Sequence, residues 1–212
     1  MTKPLLLLGA GGHAKVIVDL IESSTDIQIL GFLDSFTSER KFLGYPILGA
    51  DDELLKFSPR EVDFFVSIGF IKNAEKRIKV IDFAKNLGFS SPNIISRDAN
   101  VSKRAQLGEG NVVMPLAVVN AHARIGNFCI INTSSIIEHD ATIGDFVHIS
   151  TNTVVNGESV VGARTFVGSS VVIGNNTEVG EGCIVSAGEV ILEDVPDGIF
   201  FKNRPERPCV TK

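Results

Sequence analysis

The chain has 212 residues, 44% of them apolar, and a formal net charge of −5. The acidic balance argues against nucleic acid as a partner, and no stretch approaches the roughly 18 uninterrupted apolar residues of a membrane span. Cysteines 129, 183 and 209 form no disulfide framework, and no Cys/His cluster has metal-ligand spacing, so neither disulfides nor a metal is expected.

The opening Met1-Thr2-Lys3-Pro4 and its four leucines are too short for a secretory signal, and a cytoplasmic location is expected. Leu5-Leu6-Leu7-Leu8 reads as a buried parallel strand. Gly9-Ala10-Gly11-Gly12-His13-Ala14 follows at once, and then Val16, Ile17, Leu20 and Ile21 recur at helical spacing. Strand, glycine turn and helix form a phosphate-cradling unit, because glycines let backbone amides approach an anion and the helix start favours negative charge. A second strand, Ile27 to Leu33, ends at Asp34, where a nucleotide-binding fold keeps an acid for ribose or base. A third strand is predicted over 62–68 and an amphipathic helix over 73–88. Three strands before residue 93 make one mononucleotide half-site, which fits a nucleoside diphosphate better than NAD. A glycine turn that binds nothing is the alternative.

From Ile95 to Ile191 every sixth residue is Ile, Val or Leu, seventeen positions without an insertion. Six is a multiple of two but not of 3.6, so the repeat predicts short strands. Taking each aliphatic as position one, position five is mostly small and position two is often Gly or Asn, read here as tolerating left-handed corners. The pattern describes a parallel β-helix of five to six coils. Two domains are therefore expected, 1–92 and 93–212. Cys129 and Cys183 fall on inward fifth positions and read as core.

Among four histidines, His139 has the most distinctive setting, Ile137-Glu138-His139-Asp140, with an acid on each side. It stands at an outward third position. Imidazole is the side chain best suited to general-base work at neutral pH. Asp140 or Glu138 would orient the ring and raise its pKa. Eighteen residues on, Gly157 stacks one coil above it. His122 reads as a surface or interface residue.

These hexads resemble the hexapeptide-repeat acyltransferases, whose coils are left-handed with three hexads each. Over nearly its full length the chain resembles the bacterial nucleotide-aminosugar N-acetyltransferases, relatives of the sialic acid O-acetyltransferases. The resemblance implies an α/β Rossmann-like domain followed by an all-β left-handed β-helix. Gly11, Gly12, His13 and Asp34 would hold a nucleotide sugar, with Ser35 standing where relatives often carry a second acid. His139 would be the base and Asp140 its partner, with Glu138 the other candidate. The Gly157 amide would meet the acetyl carbonyl, and Asn132 and His148 would line the cleft; for His148 a packed interface residue is an equal reading. Acetyl-CoA would lie between subunits of a homotrimer, its phosphates met by Arg164, Lys202, Arg204 or Arg207. The implied reaction is N-acetylation of a nucleotide-linked sugar, UDP-linked and 4-amino-4,6-dideoxy. O-acetylation of a sialic acid, or a non-catalytic sugar-nucleotide scaffold, are the competing functions.

Overall fold

In the computed structural model, residues 3–37 and 39–202 are described. The first part is a five-stranded sheet in the order β3-β4-β2-β1-β5, formed by β1 (Leu5–Leu8), β2 (Ile29–Leu33), β3 (Lys41–Phe42), β4 (Tyr45–Gly49) and β5 (Asp63–Val66). Helix α1 (Gly12–Ser24) and helix α2 (Glu75–Asn86) pack against it. All four leucines of β1 are fully buried, as expected for a strand flanked on both sides, and it pairs in parallel with β2 and β5. Strands β3 and β4 were not expected. They form a hairpin turned at Leu43 and Gly44, both at positive φ, and extend the sheet beyond β2.

The second part is a left-handed parallel β-helix of two-residue strands. Within each face the strands pair in parallel at a spacing of eighteen residues, as Ile136–Ile137 does with Val154–Val155, except that Ile184–Val185 pairs with Phe200–Phe201 sixteen residues on; the faces have seven, six and five strands. The aliphatics from Val113 to Ile191 are buried, with Ile95, Val101 and Leu107 partly so. Each buried Val or Ile contributes about 1.5–3 kcal/mol. Polar fifth-position side chains are satisfied internally: Thr153, Ser159 and Thr165 donate to the carbonyls of Gly168, Gly174 and Gly180.

The corner expectation needs correction. The left-handed residues stand at position four, in columns such as His122, Asp140, Glu158 and Asn176, all near φ +60°. The position-two glycines are not left-handed. A Cβ on Gly144 would lie 2.7 Å from the backbone nitrogen of Ala163, and one on Gly162 2.5 Å from that of Glu181. Glycine is needed there because consecutive coils approach too closely for a side chain.

The three outer faces differ. The column Ile94, Val112, Ile130, His148, Phe166, Ile184 carries the α/β part: α1 packs Ala14, Ile17, Val18 and Ile21 on Ile94, Val112 and Ile130. The column Val118, Ile136, Val154, Val172, Val190 is apolar and incompletely covered within one chain. The third, Gln106, Arg124, Thr142, Val160, Glu178, is largely polar. Phe64, Phe128 and Phe146 stack across the junction of the two parts. The Arg77 guanidinium, 1% exposed, donates to the carbonyls of Val66, Ile68 and Phe128.

Candidate active site

The glycine loop opens a cavity of about 670 Å³ whose walls include Gly11, Gly12, His13, Asp34, Lys76 and His148. Helix α1 begins at Gly12, with Gly11 as its N-cap, no capping side chain and no acid in its first turn. Its first amides and its dipole are free to meet an anion. A Cβ on Gly11 or Gly12 would meet nothing within 4 Å, so both glycines leave room for a ligand. Asp34 lies on this wall with both carboxylate oxygens engaged by backbone: it accepts from Ala10 N–H at 2.6 Å and Phe36 N–H at 2.7 Å. It thereby braces the loop while leaving lone pairs available to a hydroxyl.

His13 has a buried Nε2 with no partner, a group that a ligand could satisfy. Burial, with the Arg77 cation and His148 adding to it, pushes its pKa down to about 3, so it is neutral at physiological pH. His148 packs between the rings of Phe70 and Phe166. Its Nδ1–H donates to the Phe70 carbonyl at 2.8 Å, leaving Nε2 to accept from Asn132 Nδ2 at 3.4 Å. Burial lowers the His148 pKa to about 4. His148 also lines a second, more apolar hollow of about 420 Å³ with Ile71, Phe166, Ser169 and Ala187.

Glu138, His139 and Asp140 are not among the walls of the nucleotide cavity; they stand at a different corner of the same chain. His139 Nδ1 lies 3.0 Å from Asp140 Oδ2. Left-handed backbone at Asp140, φ 61°, lets adjacent side chains face each other. The hydrogen bond to Asp140 leads the causes that raise the His139 pKa above its usual value. Glu138 instead accepts from Asn120 Nδ2, one coil below, at 2.9 Å. Gly157 backs the ring: a Cβ there would lie 2.8 Å from both Cε1 and Nε2 of His139. The Gly157 carbonyl accepts from Asn176 N–H, while its own N–H meets no acceptor among the described residues.

Arg164, another left-handed corner residue, is paired with Glu181 on the next coil. Lys202 is exposed at the carboxyl end of the β-helix. Arg204 and Arg207 lie outside the described residues. His122 is exposed directly below Asp140 in its corner column. Both described cysteines are buried, and burial pushes the Cys129 thiol up to about 12, which suits a core residue and not a nucleophile. Among the described residues no His/Cys/Asp/Glu group could hold a metal, and no helix is long and apolar enough to cross a membrane.

Sequence reasoning missed Arg77 and the apolar outer column. The column was available as a period of eighteen superimposed on the period of six. Arg77 gave no signal, since an arginine on an amphipathic helix reads as solvated.

Comparison with known proteins covers both parts. Residues 4–83 match the family described as the PglD N-terminal domain. A UDP-N-acetylbacillosamine N-acetyltransferase of Bacillus subtilis (strain 168) is 32% identical over 119 residues, covering 53% of this chain and 51% of that protein, about half its length. The acetyltransferase domain of PglB from Neisseria gonorrhoeae FA1090, in complex with acetyl coenzyme A, is 34% identical, covers 93% of this chain and 95% of that one, and superposes with a TM-score of 0.86. A GDP-perosamine N-acetyltransferase from Caulobacter crescentus, solved as a histidine mutant with CoA and GDP-perosamine, is 30% identical over 94% of this chain and 93% of that one, with a TM-score of 0.87.

Proposed function

This chain belongs to the bacterial nucleotide-aminosugar N-acetyltransferases, and we propose that it moves the acetyl group of acetyl-CoA onto the amine of a nucleotide-linked 4-amino-4,6-dideoxy sugar used in surface glycans. The observation that carries this reading is the His139–Asp140 pair at 3.0 Å, seated against Gly157.

An ammonium has no lone pair, so the acceptor attacks as the neutral amine, and its nitrogen must shed one further proton as the C–N bond forms. His139 Nε2 takes that proton, while Asp140 accepts from Nδ1–H and stabilises the imidazolium that results. The neutral amine attacks the thioester carbonyl directly. The Gly157 N–H donates to the oxygen that gains charge in the tetrahedral intermediate. Collapse expels the CoA thiolate, and the proton held on His139 returns to the sulfur. The α1 N-terminus and its glycines take the diphosphate, so the nucleotide supplies binding energy remote from the chemistry.

Diphosphate cradle and base occupy different corners of one chain, so the complete site forms between chains. The apolar column Val118, Ile136, Val154, Val172, Val190, continuous along one face, suits a second copy of this chain. A homotrimer closes three such faces around an axis and sets His139 of one protomer against the cleft of its partner. Asn132 and His148, linked to each other, form the floor on which the sugar meets the β-helix. Lys202, in no ion pair among the described residues, is placed to meet a CoA phosphate, whereas Arg164 would first have to leave Glu181.

The test is thiol release from acetyl-CoA in the presence of UDP-, GDP- or dTDP-linked 4-amino-4,6-dideoxy sugars. Turnover with one of them, lost by two or more orders of magnitude in His139→Ala, is expected. Binding of acetyl-CoA without turnover on any amino sugar would overturn the reading.

A further inference from the structure

Beyond Asp34 lies another hollow, of about 390 Å³, walled by Ser35, Phe36, Asp51, Glu75, Lys76 and Lys79. It adjoins the nucleotide cavity, since Lys76 lines both and Asp34 and Ser35 are consecutive. The order in space is helix N-terminus, then the Asp34 carboxylate, then this hollow. A nucleoside diphosphate has the same order: phosphates, ribose hydroxyls, base.

Two features of the hollow suit a base. Phe36 is 78% exposed, with the ammonium of Lys76 held 3.6 Å over its ring centroid. Lys76 covers one face of the ring and no ring among the described residues stacks on the other, which is a surface on which a base can stack. Asp51 follows β4 and faces Ser35, whose hydroxyl donates to Oδ2 at 3.4 Å. Burial raises the Asp51 pKa, with the Ser35 hydroxyl and Lys76 opposing that rise.

The donors on each base then discriminate. A carboxylate offers two adjacent acceptors and no donor. Guanine alone presents two adjacent donors, N1–H and the N2 amino group. Uracil and thymine present one N–H between two carbonyls, which a carboxylate repels. Cytosine and adenine place a ring acceptor beside the amino group. Lys79, on α2, also lines the hollow and supplies a cation for the O6 carbonyl.

We infer that this hollow is the nucleobase site and that Asp51 makes it selective for guanine, so that the acceptor is a GDP-linked amino sugar and not the UDP-linked one expected from sequence. The inference rests on the nucleotide-sugar reading above.

Calorimetric titration of the full chain with GDP, UDP and dTDP tests it, alongside Asp51→Asn and Phe36→Ala. GDP should bind at least about tenfold more tightly than UDP or dTDP. Asp51→Asn should cost GDP about 10- to 100-fold, the range of one bidentate base contact, and should not weaken UDP. Phe36→Ala should weaken all three together. Melting curves keep folding defects separate from binding defects. UDP or dTDP binding as tightly as GDP, or a GDP preference that survives Asp51→Asn, would overturn the base assignment and leave the nucleotide-sugar reading standing. Failure of the folded chain to bind any of the three would overturn both.

Discussion

Replacing Gly157 by Ala perturbs the proposed base without touching its chemistry. The added Cβ would lie 2.8 Å from Cε1 and Nε2 of His139 and 3.3 Å from Nδ1. Ordinary contact requires about 3.4 Å or more, so the reacting edge of the ring must retreat by about 0.6 Å. Nδ1 is tethered to Asp140 at 3.0 Å, and the ring would therefore pivot, swinging Nε2 away from the amine. Misplacement on the order of 1 Å costs about 100-fold in rate, so kcat should fall by about 30- to 100-fold. The nucleotide cavity does not include Gly157, and KM for the nucleotide sugar should stay within about twofold. Gly157 is not left-handed, so alanine fits its backbone and the melting temperature should hold within about 2 °C. Steady-state thiol release with thermal melting reads both quantities. A kcat within twofold of wild type would refute the argument, as would a loss that merely tracks unfolding.

Three more tests address other links. Asp140→Asn removes the leading cause of the raised His139 pKa; since the base works only when neutral, the rising limb of kcat/KM against pH should shift to lower pH, and an unmoved limb would exclude the pairing. His13 and His148 are held neutral by burial, with folded pKa values of about 3 and about 4, so the unfolded chain binds protons that the folded one refuses. Stability present above pH 6.5 should fall as pH drops toward 4, by about 2–3 kcal/mol per histidine; urea denaturation along this range should show the loss, reduced in His148→Asn, and a flat profile would contradict it. Val154→Glu puts a charge in the apolar outer column and should convert trimers to monomers by light scattering, with activity lost in step; an unchanged mass would reject that face as the interface.

Much of this architecture could be read in the chain because its signals are local and repeated. Seventeen aliphatics at a spacing of six leave one arrangement that buries them all, and the four-leucine strand with its glycine turn needs no tertiary information. The hairpin of β3 and β4 escaped because β3 has only two residues, while β4 carries Pro46 and Gly49. The role of the position-two glycines was misassigned because propensity suggests positive φ, whereas the controlling fact is the distance to the neighbouring coil. At the site, the resemblance favoured Asp140 over Glu138 as the partner of His139, but spacing alone could not choose between them. Only the backbone turn at Asp140 and the bond from Asn120 to Glu138 separate them. Phe36, Asp51 and the adjacent pair Lys76 and Arg77 come from three separate segments, and no spacing rule could have gathered them.

The coil of eighteen residues also governs how such a chain can change in length. A single residue inserted within a strand would turn every aliphatic beyond it from the inside to the outside until the next corner absorbed the slip. Lengthening is therefore tolerated as loops extruded at corners, or as whole added turns that repeat three hexads. A turn added above Gly157 would lengthen the column without altering the distance from His139 to the α/β part. One added between His139 and Ile94 would carry the base about 4.8 Å further along the axis. Growth on one side of His139 is thus free to alter the far end of the molecule, whereas growth on the other side resets the reach between nucleotide and reacting amine.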